Sequence, residues 1–166
     1  MTILYVKQKL FSMGGHFTVT DQQQHVVYTV QGSVMQLSKS FTINNRNNQE
    51  VAKVTHKLFS FLPTYEVEMN GKLVATIRKK LTLFRAKFEI DAGEIEVDGD
   101  VFGLNFSITK DGHEIATIHE AALSLGHYYE IDVKDDQFTH LVVAILLTID
   151  YVKQQESQAD MDSATY

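Results

Sequence analysis

Six times the chain writes an aromatic residue, one intervening residue and then valine or isoleucine: Phe17-Val19, Phe41-Ile43, Tyr65-Val67, Phe88-Ile90, Phe106-Ile108 and Tyr129-Ile131. Successive aromatics are separated by 24, 24, 23, 18 and 23 residues. In five of the six units a small or branched apolar residue stands seven positions earlier, at Leu10, Val34, Leu58, Leu81 and Ala122. Apolar residues at alternate positions turn one face of an extended chain toward a core, and their return at a fixed period marks a repeated unit. Each unit continues through a polar turn into a second alternating stretch, as in "YEVEMNGKLVATI", where Asn70-Gly71 is a strong hairpin signal. Lys110 to Gly112 does the same between "FSIT" and "HEIATI". Six such pairs predict about twelve strands, mostly antiparallel.

A different pattern follows in "FTHLVVAILLTIDYVKQQ". Leu141 to Ile149 is apolar except for Thr148 and covers every direction around a helix, which a surface helix does not do. Asp135 and Asp136 supply an N-cap and first-turn acid, and Lys153 suits the far end of the dipole, so the helix is expected over about 137–152. A membrane span needs about 20 apolar residues, and this stretch meets Asp150 and Lys153 too soon. Closing the strands into a barrel gives the helix a place, because a twelve-strand barrel has a backbone radius of about 12 Å and a sheet lies about 10 Å from what it covers. The predicted fold is mainly β: a closed antiparallel barrel of about twelve strands around a buried hydrophobic C-terminal helix. One domain is expected over 1–153, followed by a disordered polar tail over 154–166.

Composition narrows the function classes. The 166 residues carry 15 Lys and Arg against 21 Asp and Glu, a net charge of -6, which argues against wholesale binding of nucleic acid. With no cysteine there is neither disulfide nor thiolate chemistry. In "MTILYVKQKLFSMGG" the lysines follow the short apolar stretch, the reverse of a signal peptide, so a cytoplasmic location without a transmembrane segment is expected.

No catalytic motif emerges. "HEAAL" from His119 and "HEIAT" from His113 begin like zinc-protease helices, but neither has the second histidine one turn on. Asp91, Glu94, Glu96, Asp98 and Asp100 form an oxygen-rich stretch of the kind calcium takes, without the EF-hand spacing. A solvated strand face is the other reading of this stretch, and Gly99-Asp100 reads as a turn.

The cations are distributed more tellingly. Residues 51–90 hold eight Lys or Arg against three acids, a local +5, while the other seven cations and eighteen acids leave -11. Alternation turns Ala52 and Val54, then Leu73, Ala75 and Ile77, then Phe84, Ala86, Phe88 and Ile90 inward. It therefore sends Lys53, Lys57, Arg78, Lys80, Arg85 and Lys87 outward as a candidate anion-binding face. Outward strand positions are also simply where charges go, and lysines protect sheet edges.

"VKQKLFSMGGHFTV", "HKLFSFLPTYEVEMNGKLVATIRKKLTLFRAKFEI", "GDVFGLNFSI" and "YEIDVKDDQFTHLVVAILLTIDY" together resemble the LURP-one-related family in its bacterial, YxjI-like branch, over about residues 3–152, and more distantly the phospholipid scramblases. The resemblance implies the tubby C-terminal fold, a twelve-stranded barrel around a hydrophobic helix. It implies little about activity. Tubby proteins hold phosphoinositides on basic outer residues, but their motif does not match position by position here. Scramblases act on lipids, and the likeness to them makes Asp132, Asp135 and Asp136, ahead of the last helix, a second candidate calcium site beside their reading as a helix cap; they too lack the EF-hand spacing. The expected function is therefore a non-enzymatic soluble binding or scaffold protein without a cofactor. The alternative is a peripheral protein that meets anionic phospholipids through the cationic face.

Overall fold

The computed structural model describes residues 1–7, 16–32, 40–57, 60–81, 86–101, 103–123 and 126–163. Its strands are β1 (Thr2–Lys7), β2 (His16–Asp21), β3 (Val26–Gly32), β4 (Ser40–Asn45), β5 (Glu50–Lys57), β6 (Thr64–Met69), β7 (Lys72–Leu81), β8 (Ala86–Asp91), β9 (Ile95–Asp100), β10 (Asn105–Lys110), β11 (His113–Leu123) and β12 (Gly126–Val133). A 3-10 turn, Asp136–Phe138, leads into the one α-helix among the described residues, α1 (Thr139–Ser163). The aromatic-x-aliphatic repeat falls on the even-numbered strands. Of its members, Val19, Phe41, Ile43, Tyr65, Val67, Phe106, Ile108, Tyr129 and Ile131 are buried and Ile90 is half-buried.

One twelve-stranded sheet runs in the order β8-β7-β6-β5-β4-β3-β2-β1-β12-β11-β10-β9, curling into a nearly closed antiparallel barrel. Four repeat units pair internally as hairpins: β2 with β3, β4 with β5, β6 with β7 and β10 with β11. Asn70 and Gly71 take φ of 51° and 70°, and Asp111 and Gly112 take 51° and 75°, the left-handed pair that a two-residue hairpin turn requires. The last unit pairs differently. After β12 the chain enters the helix, and β12 takes β1 as partner, from Thr2 opposite Val133 to Lys7 opposite Tyr128.

The fifth unit departs from the expected hairpin. β8 and β9 follow one another in the chain yet are the two edges of the sheet. With Ile90 turned inward, Glu89 and Asp91 point out from β8, while Glu96 and Asp98 point out from β9. Pairing these strands would set carboxylate against carboxylate, which destabilises a ladder. The barrel keeps a seam there.

The part of α1 from Val142 to Val152 lies within this wall. Val142, Val143, Ala144, Ile145, Leu146, Leu147, Thr148 and Ile149 are 0 % exposed, which the all-round apolar pattern requires. The buried Thr148 hydroxyl is satisfied by donating to the Ala144 carbonyl oxygen at 2.7 Å. Aromatic rings of the wall hold both ends of the buried stretch. Tyr28 meets His140 edge-on at 5.6 Å between ring centres, and Tyr151 lies 5.5 Å from Phe41 and 5.9 Å from Tyr65.

Three local expectations change. Leu73 is 55 % exposed rather than inward, because a bulge on β7 sets Val67 opposite Ala75 and Glu68 opposite Leu73, and the extra residue Val74 takes the half-buried place. The helix ends at Ser163 rather than near 152, so the backbone of 154–163, expected to be disordered, continues it and Lys153 is no longer at its end. Gln, Glu, Ala and Met all favour a helix, and neither glycine nor proline intervenes. Gly99 belongs to β9, with φ of 122° and an added Cβ only 2.8 Å from the Asn105 oxygen. The turn comes after it, where the Gly103 amide donates to Asp100 Oδ1 at 2.9 Å.

Leu146→Ala is expected to lower the unfolding free energy by about 2–5 kcal/mol in denaturant titration. Ala144→Asp or Leu146→Asp, which buries a charge without a partner, abolishes the folded barrel by circular dichroism.

Burial holds the His140 imidazole below its ordinary pKa. The unfolded chain then binds the proton first as pH falls through about 6.5, so this group's contribution to stability is complete above that value and declines below it until the folded state protonates too. Stability measured between about pH 5 and 7 falls toward acid, and His140→Leu shows a smaller slope; an unchanged slope excludes the residue as its source.

Candidate functional site

Of the candidate cations, Lys53, Lys57 and Arg78 lie on the outer face of β5 and β7. Ala52 and Val54 are buried, which leaves Lys53 and Lys57 exposed, and Arg78 is exposed at the far end of β7. Lys80 and Lys87 stand opposite one another in the β7–β8 register. Their side chains, and Arg85 altogether, lie outside the described residues.

Strand order inserts β6 between β5 and β7, and β6 carries acids outward. Lys53 faces Glu68 in the register, and Arg78 faces Thr64 on one side and Glu89 on the other. Lys57 Nζ lies 3.1 Å from Glu66 Oε1. The three described cations therefore alternate with carboxylates across the sheet. With Lys57 about half exposed, its pair contributes at most about 1 kcal/mol and leaves the ammonium able to exchange partners.

Sequence parity missed the apolar tip beside this face. Phe61, in the β5–β6 connection, is fully exposed. Hydrogen bonds brace the tip. Ser60 Oγ lies 2.5 Å from the Leu62 oxygen and 3.1 Å from the Lys57 oxygen, and Thr64 Oγ1 donates to the Leu62 oxygen at 2.9 Å. The signal was present in "FSFLP", an apolar run broken by the chain's one proline.

The second feature is the seam. A groove of about 520 Å³ follows β9, lined by Ile90, Ile95, Val97 and Val101 and by Glu96, Asp98, Ser107 and Thr109. Glu94 O accepts from the Asp111 amide at 3.1 Å, in line with the Ile95–Lys110 register. Hydrogen bonding alternates along an antiparallel ladder, so Glu96 and Asp98 bond toward β10 while the amides and carbonyls of Ile95 and Val97 point to the seam.

The acidic stretches are used locally. Glu94 lies against the Asp111 carboxyl, which pushes its pKa up, while the hydrogen bond with Glu94 is the main cause holding Asp111 down; Lys110 Nζ stands 3.7 Å and 3.3 Å from the two. Asp135 caps the 3-10 turn by accepting from the Gln137 amide. Asp136 accepts from Thr2 Oγ1 at 2.7 Å and from the Met1 amino group at 2.9 Å, which together hold its pKa down. Asp132 gives one oxygen to Lys134 Nζ. Among the described residues no group of three or more histidine or acidic side chains is placed to hold a metal ion.

The two zinc-like motifs both fall on strand β11, where the helical spacing they would need does not exist. His119 instead stands 3.5 Å from Glu130 across the β11–β12 ladder. Among the described residues no helix is long and apolar enough to cross a membrane.

Known proteins share this architecture over nearly its whole length. An uncharacterized protein of Bacillus subtilis (strain 168), YxjI, is 28% identical over 152 residues, covering 92% of this chain and 94% of its own. An X-ray structure of an Arabidopsis thaliana protein superposes with a TM-score of 0.60 at 15% identity, covering 90% of this chain and 91% of that one, and so shares the fold. The family model described as LURP-one-related matches residues 2–150, from the start of β1 into α1. The chain belongs to the LURP-one-related family.

Proposed function

We propose that this protein is a non-enzymatic binding or scaffold module of the cytoplasm whose working surface is the outside of its barrel. The observation that carries this reading is the complete burial of the helix segment from Val142 to Ile149. In a small barrel the interior is the usual place for a ligand or a reaction, and here a segment of the chain itself occupies it. What remains for recognition is the outward set of wall residues and the connections between strands.

A second reading has its own support in the juxtaposition of Phe61 with Lys57 and Arg78. An exposed aromatic tip beside cations is the combination by which a peripheral protein engages an anionic bilayer, the ring entering the interface and the cations meeting phosphate. The interleaved Glu66, Glu68 and Glu89 and the overall -6 oppose that attraction, which favours the first reading.

Two measurements separate them. Incubation of the purified protein with chromogenic esters, phosphomonoesters and glycosides is expected to give no turnover above a heat-denatured control; turnover lost on substituting an outward polar residue overturns the non-enzymatic reading. Flotation with phosphatidylglycerol vesicles is expected to leave the protein unbound at about 0.15 M salt. Binding there that is lost in Phe61→Ser and in Lys57→Gln/Arg78→Gln establishes the lipid reading instead.

A further inference from the structure

We propose that the seam between β8 and β9 is a docking slot for an extended cationic segment of a partner protein, which adds as a strand along β9. The slot names an occupant for a module that binds; it lies apart from Phe61 and uses charge of the opposite sign.

Three properties of the seam specify that occupant. The first is backbone. Ile95 and Val97 turn their amides and carbonyls to the open side, offering hydrogen bonds of fixed spacing that an extended chain meets and a compact ligand does not. β9 has six residues, so it accommodates a segment of about six residues, or about 20 Å.

The second property is the floor. Ile95 is buried, and Ile90, Val97 and Val101 are half-buried and packed against the core. Every second side chain of an added strand points down onto this apolar surface.

The third is charge. The alternate side chains point out beside Glu96 and Asp98 of β9, both exposed. These carboxylates disfavour pairing of β9 with the acids of β8, and a strand with a cation at every second position converts that repulsion into cross-strand attraction along β9. The same charges select against other occupants. A second copy that presented its own β9 would bring Glu96 and Asp98 against their equivalents, and an anionic bilayer would meet the same repulsion. The inferred partner motif alternates Lys or Arg with Val, Ile or Thr.

The test uses the full chain, labelled with ¹⁵N, and an acetylated, amidated hexapeptide that alternates lysine with valine. Its counterpart carries glutamate in place of lysine. The lysine peptide is expected to bind saturably and to slow hydrogen exchange at the Ile95 and Val97 amides. Glu96→Gln/Asp98→Asn is expected to weaken it about tenfold, whereas Glu114→Gln on β11 leaves it unchanged. The glutamate peptide is expected not to bind. Absence of binding, equal binding of both peptides, or binding that leaves Ile95 and Val97 exchange unaltered overturns the proposal. So does slow exchange at these amides in the free protein, because the slot is then already filled: light scattering reads a dimer if a second copy fills it and a monomer if the barrel closes on itself. Turnover of any test substrate would leave this result untouched, so the slot and the non-enzymatic reading fail separately.

Discussion

A helix with apolar side chains on every side has no face to show to water. From Val142 to Ile149 each turn of α1 needs a neighbour in every direction, and a flat sheet covers only one. A curled sheet meets the demand, which is why the whole wall depends on this segment. The dependence is mutual. Phe41, Tyr65, Val67, Phe106, Ile108, Tyr129 and Ile131 all point to the axis, and without the helix they would line a wide apolar void that a close-packed interior does not tolerate. Strand alternation and helix apolarity are thus two halves of one constraint.

That constraint also explains where the barrel closes tightly and where it does not. β12 delivers the chain straight into the 3-10 turn and the helix, so its position is fixed by the core. β1 docks along its full length, and Thr2 reaches Asp136 at the root of the helix. At the opposite side of the order, β8 and β9 are joined by a short connection and should close most easily, yet their outward residues are acids on both strands. Local proximity favours a hairpin there, and charge opposes it. With eleven ladders already holding the wall around the helix, the twelfth is not needed to cover it.

Much of this was legible along the chain because it is written with short periods. Alternation on the even strands, the Asn70-Gly71 and Asp111-Gly112 turns and the apolar helix each depend on residues a few positions apart. What was not legible depends on residues brought together from afar or on a single inserted position. The bulge at Val74 moves Leu73 outward with no local warning. Hydrophilicity over 154–163 suggested disorder, although polar residues that favour helices extend a helix whose first turns are already anchored. Parity correctly turned Lys53, Lys57 and Arg78 outward, but only strand order reveals that Glu66 and Glu68 lie between them. Counting charge by sequence window gave a cationic block; counting it by position on the sheet gives a mixed surface.

The outward positions therefore hold what freedom the chain retains. Each inward residue is committed to the helix, and substituting it changes stability before it changes recognition. An outward residue on the same strand carries no such commitment and still sits on a rigid frame, so its side chain is held in place without being part of the core. The molecule has used this freedom to separate its charges: the wall from β5 to β8 carries most of its cations among interspersed acids, and the stretch from Asp91 to Asp100 carries only acids. Such a separation steers a charged partner to one side of the barrel at distances within the Debye length of about 8 Å. At contact, the backbone direction and the floor of the seam then read the partner's conformation, which charge alone does not specify.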